Sequence, residues 1–115
     1  MSKPGENTIE IELEGRSWTM KPCYAAMSQI NREIEGGIVE ALRRVGSSDI
    51  NALETVIAAG CQFTALGRKG LGEKIYNSGP QKLVEAAVNY LIILNNGGES
   101  PSDDEVRDSG NEPTQ

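Results

Sequence analysis

A chain of 115 residues has the length of one domain, and it carries 37% apolar residues, 24% charged residues and a net charge of −6. It has no histidine and only two cysteines, Cys23 and Cys61, which excludes a histidine general base, a CxxC metal clamp and a disulfide framework. We therefore expect a binding or assembly role in a reducing cytoplasm, without catalysis, metal or cofactor. The longest apolar run, Tyr90 to Leu94, is far shorter than the roughly 18 residues of a membrane span.

The first predicted element is an antiparallel β-hairpin over residues 9–20. Apolar and acidic residues alternate from Ile9 to Leu13, which is the pattern of a half-buried strand. Glu14 and Gly15 then suit a two-residue turn, because glycine readily adopts positive φ. An isolated hairpin is only marginally stable, so its apolar face must pack on helices or on another chain.

The two faces of this hairpin differ in character. Trp18 and Met20 lie two residues apart and are expected on the apolar face. Arg16 and Thr19 are expected beside the acidic residues of the other face, where cross-strand pairing favours opposite charges. We interpret that acidic face as a solvated edge rather than a metal site; it consists of Glu10, Glu12 and Glu14.

Helical periodicity follows the hairpin. Met27, Ile30 and Ile34 recur at the spacing of one helical face. The central helix has apolar residues on two faces, which indicates burial. Gly60 is unfavourable inside a helix, and a close helix–helix crossing would explain its presence there. Cys23 and Cys61 are expected to be small core residues. The predicted helices cover residues 24–35, 38–45, 50–66, 73–77 and 80–95.

The last helix carries an excess of apolar surface. Pro80 suits its first position and Gly97 its C-terminal cap. The five consecutive apolar residues from Tyr90 to Leu94 cover nearly the whole circumference of the helix. Either the hairpin and other helices pack on this run, or part of it contacts another chain. We take the candidate contact residues to be Trp18, Met20, Tyr90, Leu91, Ile92 and Ile93.

The sequence predicts one α+β domain at residues 8–96, a hairpin packed on four to five helices, between a flexible start at 1–7 and a disordered tail at 97–115. The tail contains six acidic residues and one arginine, and therefore five of the six net negative charges. With Val106 as its only apolar residue, it buries too little surface to offset its ordering entropy. It either solubilises the chain or contacts a basic partner through Asp103, Asp104 and Glu105.

A basic glycine-rich stretch joins the last predicted helices. Residues 67–70 (GRKG) match the GxxG loop with which KH domains hold RNA. The KH fold, however, needs three strands, and a sequence pI near 4.6 opposes a nucleic-acid partner. The same stretch resembles a P-loop, but Glu73 stands where the phosphate-binding lysine is required. RNA binding is therefore a third-ranked reading, and no nucleotide site is predicted.

The pattern of residues 11–22 (IELEGRSWTMKP) resembles the phage tail assembly chaperone family of the gene-transfer-agent type. The helix that follows, with its break at residues 35–38 (EGGI), and residues 57–60 (IAAG) extend the resemblance to about residues 8–95. The chain departs from the family at residues 68–73 (RKGLGE), where members often have a Thr/Ser-x-Glu-Glu helix start. Its acidic tail is also longer than the family pattern.

The resemblance implies a non-enzymatic protein that binds the tape-measure protein, and other tail proteins, before the tail tube polymerises. It implies a location in the bacterial host cytoplasm and absence from the finished phage or prophage particle. Self-association and an extended product remain open. The alternative is an antitoxin-like or adaptor protein whose acidic tail binds a basic partner, and an RNA-binding module ranks third.

Overall fold

The computed structural model describes residues 7–99 and shows the α+β architecture that the sequence predicts. Within these residues a two-stranded antiparallel sheet is followed by helices. The elements in chain order are β1 (Ile9–Leu13), β2 (Arg16–Met20), α1 (Tyr24–Glu33), α2 (Gly37–Gly46), α3 (Ile50–Cys61), α4 (Ala65–Arg68), α5 (Leu71–Ser78) and α6 (Pro80–Asn95).

The hairpin forms where the sequence places it. Glu14 and Gly15 have φ values of 52° and 83°, and a type I′ turn requires positive φ at both central residues. Ile11 pairs with Trp18 across the strands. Because facing residues of an antiparallel pair lie on the same side of the sheet, the apolar residues of both strands share the face that packs on the helices.

Arg16 lies on the apolar face of the hairpin, so the prediction that it sits among the acids is wrong. It pairs with Leu13, and its guanidinium carbon lies 4.9 Å from the centre of the Trp18 ring. The reason is strand alternation, which puts residues 16, 18 and 20 on one side. Thr19 lies where it was predicted, and its hydroxyl donates a hydrogen bond to Glu10 Oε2 at 2.7 Å.

The core is built around α3. Each of its residues from Thr55 to Gly60 is buried, and it packs on β2 and on helices α1, α2, α5 and α6. A helix with neighbours on most sides needs apolar residues on more than one face. The two apolar faces in the sequence therefore identified the central helix correctly.

Gly60 marks the closest approach in the core. A Cβ atom at this position would lie 3.0 Å from Met20 Cβ and 3.1 Å from Tyr90 Cζ. The Lys21 N–H donates to the Gly60 carbonyl at 3.0 Å, and the Tyr90 hydroxyl donates to the Lys21 carbonyl at 2.6 Å. The close crossing predicted from this glycine exists, and it involves strand β2 as well as helix α6.

The predicted 50–66 helix is two helices, α3 and α4. Gln62 ends α3 in the left-handed region with φ of 55°. The Phe63 N–H donates to the Ala58 carbonyl at 3.0 Å, which is the long hydrogen bond of a Schellman C-cap. The prediction of one continuous helix is therefore wrong. The break was not predicted because neither a glycine nor a proline marks this cap.

The other helices agree with the prediction to within about two residues at each end. Asp49 caps α3, and its side chain accepts hydrogen bonds from the Asn51 and Ala52 N–H groups. Helix α6 has the predicted bounds, and Gly97 has φ of 72° at its end. No helix among residues 7–99 is long and apolar enough to cross a membrane. Most of the predicted acidic tail, from residue 100 onward, lies outside the described residues.

Candidate functional site

Three of the predicted contact residues lie in the core. Met20, Tyr90 and Leu91 each have 0% of their surface exposed. Burial also raises the pKa of Tyr90, whose hydroxyl is held by the Lys21 carbonyl. Their assignment to a contact surface is therefore wrong in this fold, because the hairpin and neighbouring helices pack on them. That packing is the other explanation that the apolar run allowed.

The remaining predicted contact residues are in different settings. Ile93 is 8% exposed, whereas Ile92 is 38% exposed and is the one residue of the Tyr90–Ile93 stretch that reaches the surface. Trp18 is half-buried and lies at an open site. The three predicted tail residues lie outside the described residues: Asp103, Asp104 and Glu105.

Trp18 meets a second aromatic ring at the surface. The centroids of the Trp18 and Phe63 rings are 4.8 Å apart and their planes are inclined by 79°, an edge-to-face arrangement that aromatic pairs favour. Phe63 reaches this position because the Schellman turn at Gln62, the residue before it, ends α3. Both rings are half-buried, so each retains surface for a further contact.

A groove of about 360 Å³ opens at this ring pair, and we call it the Trp18 groove. Besides the two rings, its apolar lining includes Leu13 and Leu71, which are almost fully buried. Gln62 and Thr64 contribute polar surface from the corner between α3 and α4. The volume lies near the lower end of the roughly 300–1,000 Å³ range of ligand pockets, so the groove suits a few side chains of a partner.

The charged residues that line the Trp18 groove are Arg16 and Lys74, both cations. Neither forms an ion pair within residues 7–99, whereas the arginines of α2 and α4 pair with glutamates. The acid of the hairpin turn, Glu14, lines a different cavity, where its Oε2 accepts a hydrogen bond from Asn77 Nδ2 at 2.9 Å. The groove is therefore cationic in an acidic chain.

The basic GxxG stretch is tied into the fold. Arg68 holds both carboxylate oxygens of Glu33 at 2.8 and 2.9 Å, and its Nε lies 3.4 Å from Glu54 Oε2. The hydrogen bond from Arg68 lowers the pKa of Glu33. Arg68 thereby joins α4 to α1 and α3. The sheet of the described residues has two strands, not the three of a KH fold.

The two cysteines occupy different environments. Cys61 is half-buried, and burial raises its pKa to about 11, so its thiol stays protonated at neutral pH, as befits a core residue. Cys23 is exposed at the N-cap of α1. The prediction that Cys23 is a core residue is therefore wrong, because it precedes the first helical residue, Tyr24, and has an extended backbone.

The acidic edge of the hairpin is exposed, as Glu10, Glu12 and Glu14 all reach solvent. Within residues 7–99, no group of three or more Cys, Asp and Glu side chains is arranged to hold a metal ion.

No protein-family model matches the chain, and no curated protein or solved structure matches it. The resemblance to tail assembly chaperones therefore rests on the residue pattern. The structure forms residues 11–20 of that pattern into the hairpin, and the helices break at residues 34–36, which overlaps the pattern at residues 35–38. What the resemblance implies about function stays a prediction.

Sequence reasoning missed Phe63 and Lys74 as members of the site. Phe63 lies inside the predicted 50–66 helix, so its pairing with Trp18 at a corner between two helices was not predicted. One signal was available at Thr64, whose Oγ1 accepts a hydrogen bond from the Gly67 N–H at 3.1 Å. Threonine is a favoured N-cap residue and indicates a helix start rather than a helix interior.

Proposed function

We propose that this chain is a non-enzymatic assembly chaperone of a phage or prophage tail. In this role it binds the tape-measure protein in the host cytoplasm before the tail tube polymerises, and it leaves before the particle is complete. Other tail proteins and a second copy of the chain are further candidate partners. The resemblance at residues 11–22 supplies the family, and the Trp18 groove supplies a contact site.

The observation that carries this proposal is the open Trp18–Phe63 pair. A long helical protein with an exposed apolar seam aggregates unless another surface covers that seam. The two rings pack against the core and are only half-buried, so each keeps exposed surface. Aromatic residues of this kind dominate binding energy at protein interfaces. The groove therefore offers a small apolar contact on a rigid hairpin and helix corner.

The test is co-expression of the chain with the long helical tail protein encoded beside it. We expect a soluble complex that co-purifies, while the tail protein alone is insoluble. Trp18→Ala and Phe63→Ala should each lower the yield of the complex, because each removes one ring of the pair. Val39→Ala is the matched control, since Val39 is 73% exposed on α2 and away from the groove lining. Circular dichroism establishes that each variant is folded.

The variant Ile92→Ser distinguishes a partner contact at the Trp18 groove from a partner contact on helix α6. Ile92 is the accessible residue of the apolar run, whereas a serine at the buried Ile93 would disturb folding. Loss of the complex on Ile92→Ser, with the groove variants unaffected, would move the contact to α6. Absence of any complex with a folded chain would contradict the proposed function and put the adaptor reading first. An adjacent gene for a small basic toxin would point the same way.

A further inference from the structure

The chemistry of the Trp18 groove indicates what kind of partner segment it takes. Arg16 stands over one face of the Trp18 ring at 4.9 Å, and Phe63 meets that ring edge to face at 4.8 Å. Lys74 supplies a second cation from α5. An aromatic surface is thus bordered by positive charge on two different elements.

Both cations are available for a partner. Within the described residues neither Arg16 nor Lys74 is engaged by a carboxylate, so a ligand would not have to break an existing ion pair. Exposed charges in this position steer association and select the sign of the partner's charge more than they add affinity. The apolar floor supplies the remaining attraction.

We infer that the Trp18 groove binds an acidic segment of a partner protein. The segment places an apolar side chain against the two rings and a carboxylate beside Arg16 and Lys74. This inference rests on the proposed partner-binding role of the groove and adds the chemistry of the partner. A single-stranded nucleic acid fits less well, because stacking needs an open ring face and Arg16 already covers one face of Trp18.

The full chain has one tryptophan, so Trp18 fluorescence reports directly on the groove. Two synthetic peptides of about ten residues serve as probes, with the same leucines and phenylalanine but flanked by glutamates in one and by lysines in the other. We expect the glutamate peptide to bind roughly tenfold more tightly, because its carboxylates pair with Arg16 and Lys74 whereas the lysine peptide is repelled. Added salt should reduce that preference.

The double variant Arg16→Gln with Lys74→Gln should lose the preference for the glutamate peptide. Arg32→Gln with Lys82→Gln is the matched control, because it removes one arginine and one lysine that do not line the groove. Calorimetry measures the same affinities and does not depend on the Trp18 signal, which the loss of Arg16 itself alters. Unchanged preference in the first double variant would overturn the inference.

Three further outcomes would overturn the inference: equal binding of the two peptides, tighter binding of the lysine peptide, or tighter binding of a thymine oligonucleotide. A fourth concerns the chain itself. If the glutamate peptide binds only after Asp103→Asn, Asp104→Asn and Glu105→Gln together, the acidic segment of this chain is the occupant and the partner assignment is wrong. The peptide assay does not contain the tape-measure protein. A negative result there would contradict the acidic-segment inference, whereas a negative co-expression test would contradict the proposed function.

Discussion

The hydrogen bond of Tyr90 explains how the apolar run of α6 can be mostly buried. Tyr90 is fully buried, yet its hydroxyl has a partner, the Lys21 carbonyl at 2.6 Å. Lys21 in turn donates its N–H to Gly60. A buried hydroxyl without a hydrogen bond would destabilise the fold, so this chain of contacts lets a large polar side chain occupy the core. It also links β2, α3 and α6 at one point.

The first prediction concerns the space at Gly60. Gly60→Ala should lower the free energy of unfolding by about 1–3 kcal/mol, because the new methyl group meets buried atoms of Met20 and Tyr90 at 3.0 and 3.1 Å. Helix propensity alone would raise stability by up to about 1 kcal/mol. Urea unfolding measures the difference. Gly72→Ala on α5 is the control, because nothing lies within 4 Å of its Cβ position; equal effects in the two variants would contradict the packing account.

The second prediction concerns the thiols. In the native chain, a thiol-specific reagent near neutral pH should label Cys23 rapidly and Cys61 slowly. Cys23 is exposed, while Cys61 is half-buried and its pKa is raised to about 11, so almost none of the reactive thiolate is present. Mass spectrometry of the labelled peptides measures both rates. Because Cys61 also lines the Trp18 groove, its slow labelling should come mainly from the raised pKa and should quicken when urea unfolds the chain; labelling of Cys61 as fast as that of Cys23 in the native chain would contradict the raised pKa.

At the scale of elements, the ion pairs of Arg68 hold the short helix α4 against the bundle. The α4 helix has four residues and no buried residue, so its own packing fixes it weakly. Arg68 compensates by reaching Glu33 on α1 and Glu54 on α3. The position of α4 affects the Trp18 groove, because Phe63 lies in the short connection between α3 and α4.

The third prediction follows from the lowered pKa of Glu33. Glu33→Gln should reduce the free energy of unfolding near neutral pH by on the order of 1 kcal/mol, allowing for solvent screening of these partly exposed groups. The carboxylate is favoured in the folded state, so its contribution is present above the ordinary pKa of 4.5. That contribution disappears as the pH falls through the lowered folded value.

Urea unfolding at several pH values measures this effect. The difference between the native chain and Glu33→Gln should narrow between about pH 5 and pH 3. Glu35→Gln is the control, because Glu35 is exposed and forms no ion pair among the described residues. A constant difference across the range would mean that Glu33 acts through packing rather than through charge.

Elements with a strong local signal were predicted well from the sequence. The hairpin follows from its alternating pattern, and the start of α6 follows from Pro80. The end of α3 could not be predicted in the same way. Gln62 adopts positive φ there although glycine is usual, so tertiary contacts rather than local preference determine the break.

The site was predicted less completely than the fold. Trp18 was identified from its place in the hairpin, but a one-dimensional pattern does not state which helix faces it. Its partner Phe63 depends on the break at Gln62, and Lys74 depends on the position of α5. The apolar run of α6 was ambiguous because burial by the hairpin and neighbouring helices and exposure to a partner give the same residue pattern.

For the whole molecule, positive and negative charge are unevenly distributed. Residues 97–115 carry five of the six net negative charges, whereas the Trp18 groove is bordered by cations. A nearly neutral domain with a cationic apolar groove can engage a partner that the acidic net charge would otherwise repel at long range. On the proposed partner-binding role, Arg16 and Lys74 would select partners by the sign of their charge.

The fourth prediction tests the central claim that the Trp18 groove is the partner-contacting surface. Amide hydrogen exchange should be compared for the chain alone and in complex with the tape-measure protein. We predict slower exchange in the complex at β2, at residues 62–67 and at the start of α5, because these segments line the groove. Exchange in α2 should not change. Protection confined to the end of α6 around Ile92, with none at the groove, would contradict the account.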